Sequence, residues 1–212
     1  MQSSSSREEI LQRIAAAQSG RLAFVNSPTT GVETIYKPIL PDAVTCFKNE
    51  LETINGQCIL CDTEADLYAK LKKYVEQKEI PSVFCRDSYI SSQLNQYHIN
   101  TSMRKEDFEL MSAGITGCEF LVARTGSILV SSASESGRQM IVFPPIHIIL
   151  AHVSQLLNYP EDALVVIQDK YGNTLPSTIS TITGPSRTAD IEKTLVLGAH
   201  GPKELVVFLS KE

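Results

Sequence analysis

The sequence predicts an α/β fold in which a parallel β-sheet is covered by helices on both faces. Short apolar segments alternate with amphipathic helical segments in the first half of the chain, a pattern typical of parallel sheets. The chain has 212 residues, of which 42% are hydrophobic and 20% charged. This length suits one well-buried α/β domain and is short for two.

The N-terminal 40 residues are predicted to be a helix and an irregular connection, and residues 41–212 to be a single domain. In "SREEILQRIAAAQS", Ser6 precedes Glu9 by three residues, the spacing of a capping box. Residues 20–40 are interrupted by Gly, Pro and Thr, which indicates irregular structure.

The elements from residue 41 to 97 follow from hydrophobic periodicity. A helix is predicted at "PDAVTCFKNELETIN", a strand at "GQCILC" and a helix at "DTEADLYAKLKKYVEQK". A second strand follows at "SVFCRD" and a shorter helix at "YISSQLNQY". This strand–helix–strand order indicates a parallel pair.

The second half begins with "GITGCEFLVARTGSILVSS", two strands bent around Thr125–Gly126. Extended runs are expected on both sides of Pro144–Pro145, because this pair cannot continue a central strand. "PEDALVVIQDKYG" has the N-terminal Pro and C-terminal Gly of a helix. The last elements are predicted to be a strand at "STIST", a helix at "RTADIEKTLVLG" that ends near Gly198, and a strand at "ELVVFLS".

Charge and composition exclude several classes of protein. The net charge is −5 and no Lys/Arg run is concentrated, so nucleic-acid binding is not expected. No apolar run approaches the roughly 20 residues of a membrane span, and the N-terminus lacks the pattern of a signal peptide. The five cysteines are odd in number and most have apolar neighbours, as in reduced thiols. We expect a cytoplasmic protein.

The stretch "STITGPSRTADIE" predicts a seat for a small anion. A strand that ends at Gly184 can turn sharply, and the predicted helix would then offer unpaired N–H groups and its positive dipole end. Ser186 and Thr188 add hydroxyl donors, and Arg187 can bind a carboxylate or phosphate through two hydrogen bonds. The alternative is a plain helix cap with a surface Arg187–Asp190 pair.

Three further motifs are weak or absent. No phosphate-binding G-x-x-x-x-G-K-[ST] loop and no strand-anchored G-x-G-x-x-G motif is present. Cys58-x-x-Cys61 lies inside an apolar strand without a second pair, so we interpret it as core packing and expect no metal site.

Four segments together resemble the LUD-domain family, in particular its lactate utilization protein C (LutC/YkgG) type. They are "GITGCEFLVARTGSILV", "PPIHI", "STITGPSRTADIE" and "LVLGAHGPKELVVFL". The resemblance is strong over residues 110–212. In the first half of the chain only the order of the predicted elements is similar. It implies a three-layer α/β/α sandwich with a mostly parallel sheet, like the NagB/RpiA/CoA-transferase superfamily.

The resemblance also implies a function. It implies a subunit that acts beside iron–sulfur partner proteins of one operon in the oxidation of L-lactate to pyruvate, without a cofactor of its own. One departure from the family pattern is Arg124, which stands where the family is commonly acidic. Another is Glu119, where Asp is frequent. The family pattern falls on Gly114, Thr116, Gly117, Thr125, Gly126, Arg138, Pro145, His147, Thr183, Gly184, Pro185, Ser186, Arg187, Thr188, Asp190, Glu192, Gly198, His200, Gly201 and Pro202.

Three residues are candidates for chemistry, each with a structural alternative. Glu119 could be a nucleophilic carboxylate, as a glutamate is in CoA-transferases, or could pair with a neighbour such as Arg124. His200 could be an acid/base group or a structural turn residue. Arg138, after the loop "SSASESG", could bind a ligand carboxylate or cap the loop.

Two hypotheses of function follow. In the first, the chain is a subunit of a lactate-oxidising complex that binds a small carboxylate, or docks its partners. In the second, it is a stand-alone acyl- or phosphate-handling enzyme with Glu119 as the catalytic carboxylate. The catalytic candidates are Glu119 and His200, and the ligand-binding candidates are Thr125, Gly126, Arg138, Gly184, Ser186, Arg187 and Thr188.

Overall fold

A computed structural model of the chain describes residues 6–18, 37–189 and 195–211. The chain divides into two compact units, residues 1–35 and residues 36–212. The first unit contains helix α1 (Ser6–Gln18), so the N-terminal helix is confirmed. The expectation of a single domain over 41–212 stays a prediction.

The second unit is built from α-helices and β-strands. Its helices are α2 (Ala43–Thr53), α3 (Glu64–Gln77), α4 (Ser88–Gln96) and α5 (Pro160–Tyr171). Its strands are β1 (Gln57–Cys61), β2 (Val83–Phe84), β3 (Thr101–Ser102), β4 (Ala113–Thr116), β5 (Phe120–Val122), β6 (Ser127–Ser131), β7 (Ile146–His152), β8 (Leu156–Leu157), β9 (Ile179–Ile182), β10 (Arg187–Ala189), β11 (Leu195–Leu197) and β12 (Glu204–Ser210).

The main sheet is parallel throughout, with strand order β1-β12-β7-β4-β2-β3. Its longest pair is β7–β12, which stays in register over seven residues, from Ile146 opposite Glu204 to His152 opposite Ser210. Both strands are apolar along most of their length, because both of their faces are covered.

Alternate residues of β12 belong to two different cores. Val206 and Phe208 pack with α3 and α4 on one face of the sheet. Leu205, Val207 and Leu209 pack with α2 and a second sheet on the other face. The period of two along a strand separates these two sets.

The second sheet has the order β8-β5-β6-β9 and combines parallel and antiparallel pairs. Helix α5 covers its outer face through Ala163 and Ile167, which pack on Val122 and Leu129. The three-layer α/β/α sandwich is confirmed, and α2 and the second sheet lie on the same face of the parallel sheet.

The predicted helix over residues 187–198 is wrong. Strands β10 and β11 form an antiparallel pair in which Arg187 lies opposite Leu197 and Thr188 lies opposite Val196. Apolar and β-branched side chains, such as those of Val196 and Thr188, suit a strand at least as well as a helix, and the pairing decides between the two.

The extended run predicted before Pro144 is also wrong, because residues Gln139–Ile141 form a 3₁₀ turn. This turn buries Met140 against Phe84 and Phe108. The strand after Pro145, the helix from Pro160 and the remaining predicted elements of the second unit are confirmed. In the part of the chain that the structure describes, no helix has the length and apolarity that crossing a bilayer requires.

Gly126 carries a tight contact between the second sheet and α2. Its φ is +59°, and a Cβ at this position would lie 2.7 Å from the Glu50 carbonyl carbon and 2.8 Å from Leu51 Cα. Backbone atoms of a helix cannot move aside cheaply. Gly126 therefore sets how closely α2 approaches the turn between β5 and β6.

We predict that Gly126→Ala lowers the free energy of unfolding by at least about 2 kcal/mol, since it adds a backbone clash to the cost of a positive φ. Gly137→Ala is the matched control, because Gly137 has φ +66° and its nearest atom is at 4.0 Å, on the flexible Arg86 side chain. Urea unfolding measures both variants. Equal losses in the two would contradict the close contact.

Candidate functional site

A cavity of about 180 Å³ lies at the carboxyl edge of the parallel sheet. Ligands of open α/β sheets bind at this edge, where loops leave the strand ends. The cavity is smaller than the roughly 300 Å³ at which drug-sized sites begin, and so suits a small metabolite. The polar residues of its wall are Asp87 after β2, Thr116, Cys118 and Glu119 at and after the end of β4, Ser131, Ser134 and Ser136 at and after the end of β6, and Lys170 on α5.

Glu119 is the centre of a hydrogen-bonded cluster in this wall. Its Oε1 accepts hydrogen bonds from the Ser131 hydroxyl at 2.5 Å and from the Tyr171 hydroxyl at 2.6 Å. Its Oε2 accepts one from Lys170 Nζ at 2.6 Å. Only 8% of the Glu119 side chain is exposed, against 50% for Lys170.

Two opposing effects act on the pKa of Glu119. Burial acts to raise it, but hydrogen bonds from Lys170, Ser131 and Tyr171 outweigh burial and lower the pKa below its ordinary value of 4.5. The hydrogen bond to Glu119 in turn raises the pKa of Lys170. At neutral pH the cluster therefore contains a carboxylate and an ammonium group.

The structural alternative, a Glu119 carboxylate paired with another side chain, is confirmed, but the partner is Lys170 and not Arg124. Arg124 Nη1 lies 2.8 Å from Glu50 Oε1 on α2 and contacts the Cys46 sulfur at 3.8 Å. The 3₁₀ turn at Ala123–Thr125 brings Arg124 to α2. Lys170 and Tyr171 could not be predicted as partners, because they are 51 and 52 residues from Glu119 and no local pattern connects them.

The loop from Ser132 to Arg138 covers one side of the cavity. Glu135 Oε2 accepts a hydrogen bond of 2.8 Å from the backbone N–H of Ser88, at the start of α4. Arg138 is exposed, and its guanidinium donates to the Ser177 hydroxyl at 2.5 Å. The guanidinium of Arg138, a predicted ligand-binding group, is thus engaged beside the cavity rather than in its wall.

Thr125, Gly126 and Gly184 lie at α2, away from the cavity wall. Gly126 approaches the backbone of Leu51, and a Cβ on Gly184 would lie 2.8 Å from the Ile54 carbonyl oxygen. The Thr125 hydroxyl is buried without a hydrogen-bond partner among the described residues. These contacts are structural, and the predicted ligand role of the three residues stays a prediction.

Ser186, Arg187, Thr188 and His200 belong to the opposite, amino edge of the sheet. The Ser186 N–H donates to the Pro202 carbonyl at 2.8 Å, and the Gly198 N–H donates to the Ser186 carbonyl at 2.9 Å. Arg187 is exposed. The anion seat was predicted at the N-terminus of a helix. That helix is wrong, because strand β10 lies in its place, and the Ser186 N–H already donates to a carbonyl.

His200 lines a separate depression of about 410 Å³ with Val142, Phe143 and the turn from Gly198 to Lys203. The Lys203 N–H donates to the Pro145 carbonyl at 2.8 Å, which fixes this turn where β7 and β12 begin. The structure thus brings Ser186 and His200 to one edge of the sheet and Glu119 to the other.

The cysteines of the Cys58-x-x-Cys61 motif lie in different cores, Cys58 on the α2 side and Cys61 on the α3 side. Burial raises the pKa of Cys58 to about 12 and that of Cys61 to about 11. Core packing is confirmed for both. Among residues 6–18, 37–189 and 195–211, no cluster of three or more His, Cys, Asp or Glu side chains has the arrangement of a metal site.

The model of the LUD domain matches residues 44–210. The chain belongs to the LUD domain family. Over 230 aligned residues it is 27% identical to lactate utilization protein C of Bacillus subtilis (strain 168), with 96% of this chain and 95% of that protein covered. It is also similar to the crystal structure of a DUF162 family protein from Deinococcus radiodurans, with a TM-score of 0.60, 15% identity, and coverage of 79% and 96%.

A third relative is an uncharacterised protein of Neisseria meningitidis serogroup B (strain ATCC BAA-335 / MC58), 35% identical over 132 residues. The match covers 62% of this chain and 56% of that protein, just over half its length. The LUD assignment made from the sequence motifs is confirmed by the family match, and the structural likeness supports the fold.

The Glu119 cluster generates a pH-dependent contribution to stability. Because the folded pKa of Glu119 lies below the unfolded one, the ionised cluster stabilises the fold above about pH 4.5, and this is lost as the pH falls through the folded pKa. We predict that the wild type loses more stability than Glu119→Gln as the pH falls from about 6 through the folded pKa of Glu119.

Urea unfolding at several pH values measures this difference. The control is Glu109→Gln, which removes an exposed carboxylate outside the cavity wall and should leave the acid slope of the wild type unchanged. An acid slope in Glu119→Gln equal to that of the wild type would contradict the lowered pKa.

Proposed function

We propose that this chain acts in lactate utilization, in the cytoplasm, as a subunit of an L-lactate-oxidising complex that works with iron–sulfur partner proteins. Its part is to bind the 2-hydroxy acid at the carboxyl-edge cavity. Membership of the LUD family supports this proposal, as does the full-length similarity to lactate utilization protein C. The observation that carries it is the Glu119 cluster in the cavity wall.

The cluster complements a 2-hydroxy acid because it offers both an acceptor and donors. A carboxylate has about four acceptor positions, and three of those of Glu119 are filled by Ser131, Tyr171 and Lys170. The remaining position, on Oε2, can accept a hydrogen bond from a ligand hydroxyl. An ammonium group has three donors, so Lys170 can also bind the ligand carboxylate.

The reaction itself needs an electron acceptor. Conversion of L-lactate to pyruvate removes two protons and two electrons, from the O–H and C–H bonds at C2. In this proposal the electrons pass to the iron–sulfur partner proteins, and the chain holds the acid. Ser186, Arg187, Thr188 and His200 at the amino edge are a second proposed position, for an anion or for docking of a partner.

The alternative is a stand-alone acyl- or phosphate-handling enzyme with Glu119 as nucleophile. It is favoured by one observation, an ionised carboxylate in the wall of a cavity. The three hydrogen bonds to Glu119 argue against it, since each stabilises the carboxylate and lowers its nucleophilicity.

We predict that the protein binds L-lactate more tightly than pyruvate by a factor of about ten, the scale of one hydrogen bond to a charged group. Pyruvate carries a carbonyl oxygen where lactate carries a hydroxyl, and a carbonyl cannot donate to Glu119. Calorimetric titration measures both ligands. In Glu119→Gln the preference should shrink to about twofold, because the remaining carboxylate acceptor is lost.

The same titration distinguishes the two proposed anion positions when the affinity for L-lactate is measured in Lys170→Met and in Arg187→Ala. Loss of L-lactate affinity in Lys170→Met alone supports the carboxyl-edge cavity. Loss in Arg187→Ala alone, or equal affinity of the wild type for lactate and pyruvate, would contradict the cavity as the site.

We also predict that the chain co-purifies with two cysteine-rich iron–sulfur proteins encoded beside it, and that lactate oxidation by the mixture stops when this chain is omitted. The isolated chain should turn over neither lactate nor an acyl-CoA. Acyl-CoA turnover by the isolated wild type that is abolished in Glu119→Gln would overturn the subunit proposal in favour of the enzyme.

A further inference from the structure

Thr116 and His147 form a hydrogen-bonded pair where β4 lies beside β7. Thr116 Oγ1 is 2.9 Å from His147 Nε2. The imidazole is completely buried, and Thr116 is 2% exposed. Thr116 is the last residue of β4 and also belongs to the wall of the carboxyl-edge cavity. The pair therefore connects the core of the parallel sheet to the cavity.

The position of the imidazole proton follows from the surroundings of the ring. Burial lowers the pKa of His147 to about 4, so the ring is neutral at pH 7 and has one N–H. Among the described residues His147 Nδ1 has no hydrogen-bond partner. A buried N–H without an acceptor is rarer and costlier than a buried acceptor without a donor. The proton therefore lies on Nε2 and is donated to Thr116 Oγ1.

This arrangement leaves the Thr116 hydroxyl proton available. The oxygen of Thr116 accepts from His147, and the described part of the chain gives Oγ1 no other partner. Ser136 is a second hydroxyl of the same wall, and it is 3% exposed and without a partner among the described residues. Two buried hydroxyls without acceptors in one wall are what a ligand with oxygen acceptors would satisfy.

We propose that Thr116 donates its hydroxyl proton to a carboxylate oxygen of the ligand, and that His147 is the positioning residue that fixes this direction. His147 does so by donating Nε2–H to the Thr116 oxygen. The identity of the ligand as a 2-hydroxy acid rests on the proposed function, whereas the tautomer and the direction of the hydrogen bond do not.

The tautomer is measured by long-range ¹H–¹⁵N correlation spectra of the imidazole rings of the full chain. His98, His152 and His200 are exposed, so His147 is the buried ring, and its signals are assigned by their loss in His147→Gln. The expected result at pH 7 is a neutral ring protonated at Nε2. A ring protonated at Nδ1, or at both nitrogens, would overturn the proposal.

Calorimetric titrations with L-lactate and with acetate test the ligand contact. Thr116→Val keeps the shape of the side chain but removes the hydroxyl, and affinity should fall about tenfold. Thr116→Ser should restore affinity to within about twofold of the wild type. His147→Gln, whose amide can still donate, should lose less than His147→Leu. The control is Thr101→Val, which removes a hydrogen-bonded hydroxyl of β3 outside the cavity wall.

The outcomes distinguish this proposal from the proposed function. Tight lactate binding that Thr116→Val leaves unchanged overturns the Thr116 assignment alone. Acetate binding that depends on Thr116, without any preference for lactate, supports the Thr116 assignment and overturns the 2-hydroxy acid. Binding of neither probe by the wild type overturns both.

Discussion

The site depends on the crossing of the chain from the parallel sheet to the second sheet, directly after β4. Two residues, Gly117 and Cys118, separate the end of β4 from Glu119. The crossing is fixed by Gln155, whose side-chain amide donates to the Cys118 carbonyl at 2.7 Å, and by the Glu119 N–H, which donates to the Leu129 carbonyl at 2.8 Å. Both are hydrogen bonds of the backbone to other elements, so the turn cannot shift without losing them.

This crossing explains why polar groups from separate parts of the chain meet in one wall. Thr116 ends a strand of the parallel sheet, and Glu119 is the last residue of the connection into the second sheet. Ser131 is the last residue of β6 in that sheet, and Lys170 lies on α5, the helix that covers the sheet. A hydrophobic core on each side of the parallel sheet holds these elements rigidly, as a preorganised binding site requires.

Hydrophobic periodicity predicted those helices and strands whose apolar residues repeat at a regular spacing along the chain. The α2–β1–α3 segment was predictable because Leu67, Leu71 and Val75 repeat at helical spacing and each strand is a short apolar run. The hairpin of β10 and β11 was not, because its strands are stabilised by pairing with each other rather than by a pattern within either one. The helix N-terminus on which the predicted anion seat was based is absent for this reason, and an anion position at Ser186 and Arg187 stays a proposal.

The candidate site was predictable only in part, for the same reason. Glu119 was a candidate by analogy with the glutamate of CoA-transferases, but its partners are residues 131, 170 and 171, which no spacing rule connects to it. Gly126 and Gly184 were grouped with the ligand site because the motif contains them. Their contacts with α2 give these glycines a packing role, since a side chain would meet the helix backbone at Gly126 and the Ile54 carbonyl at Gly184.

The most direct test of the account is a crystal structure of the protein soaked with L-lactate. We predict density for the acid in the carboxyl-edge cavity, with its hydroxyl within hydrogen-bond distance of Glu119 and its carboxylate close to Lys170 and Thr116. Density for lactate at the amino edge beside Arg187 and His200, with the carboxyl-edge cavity holding only water, would contradict it.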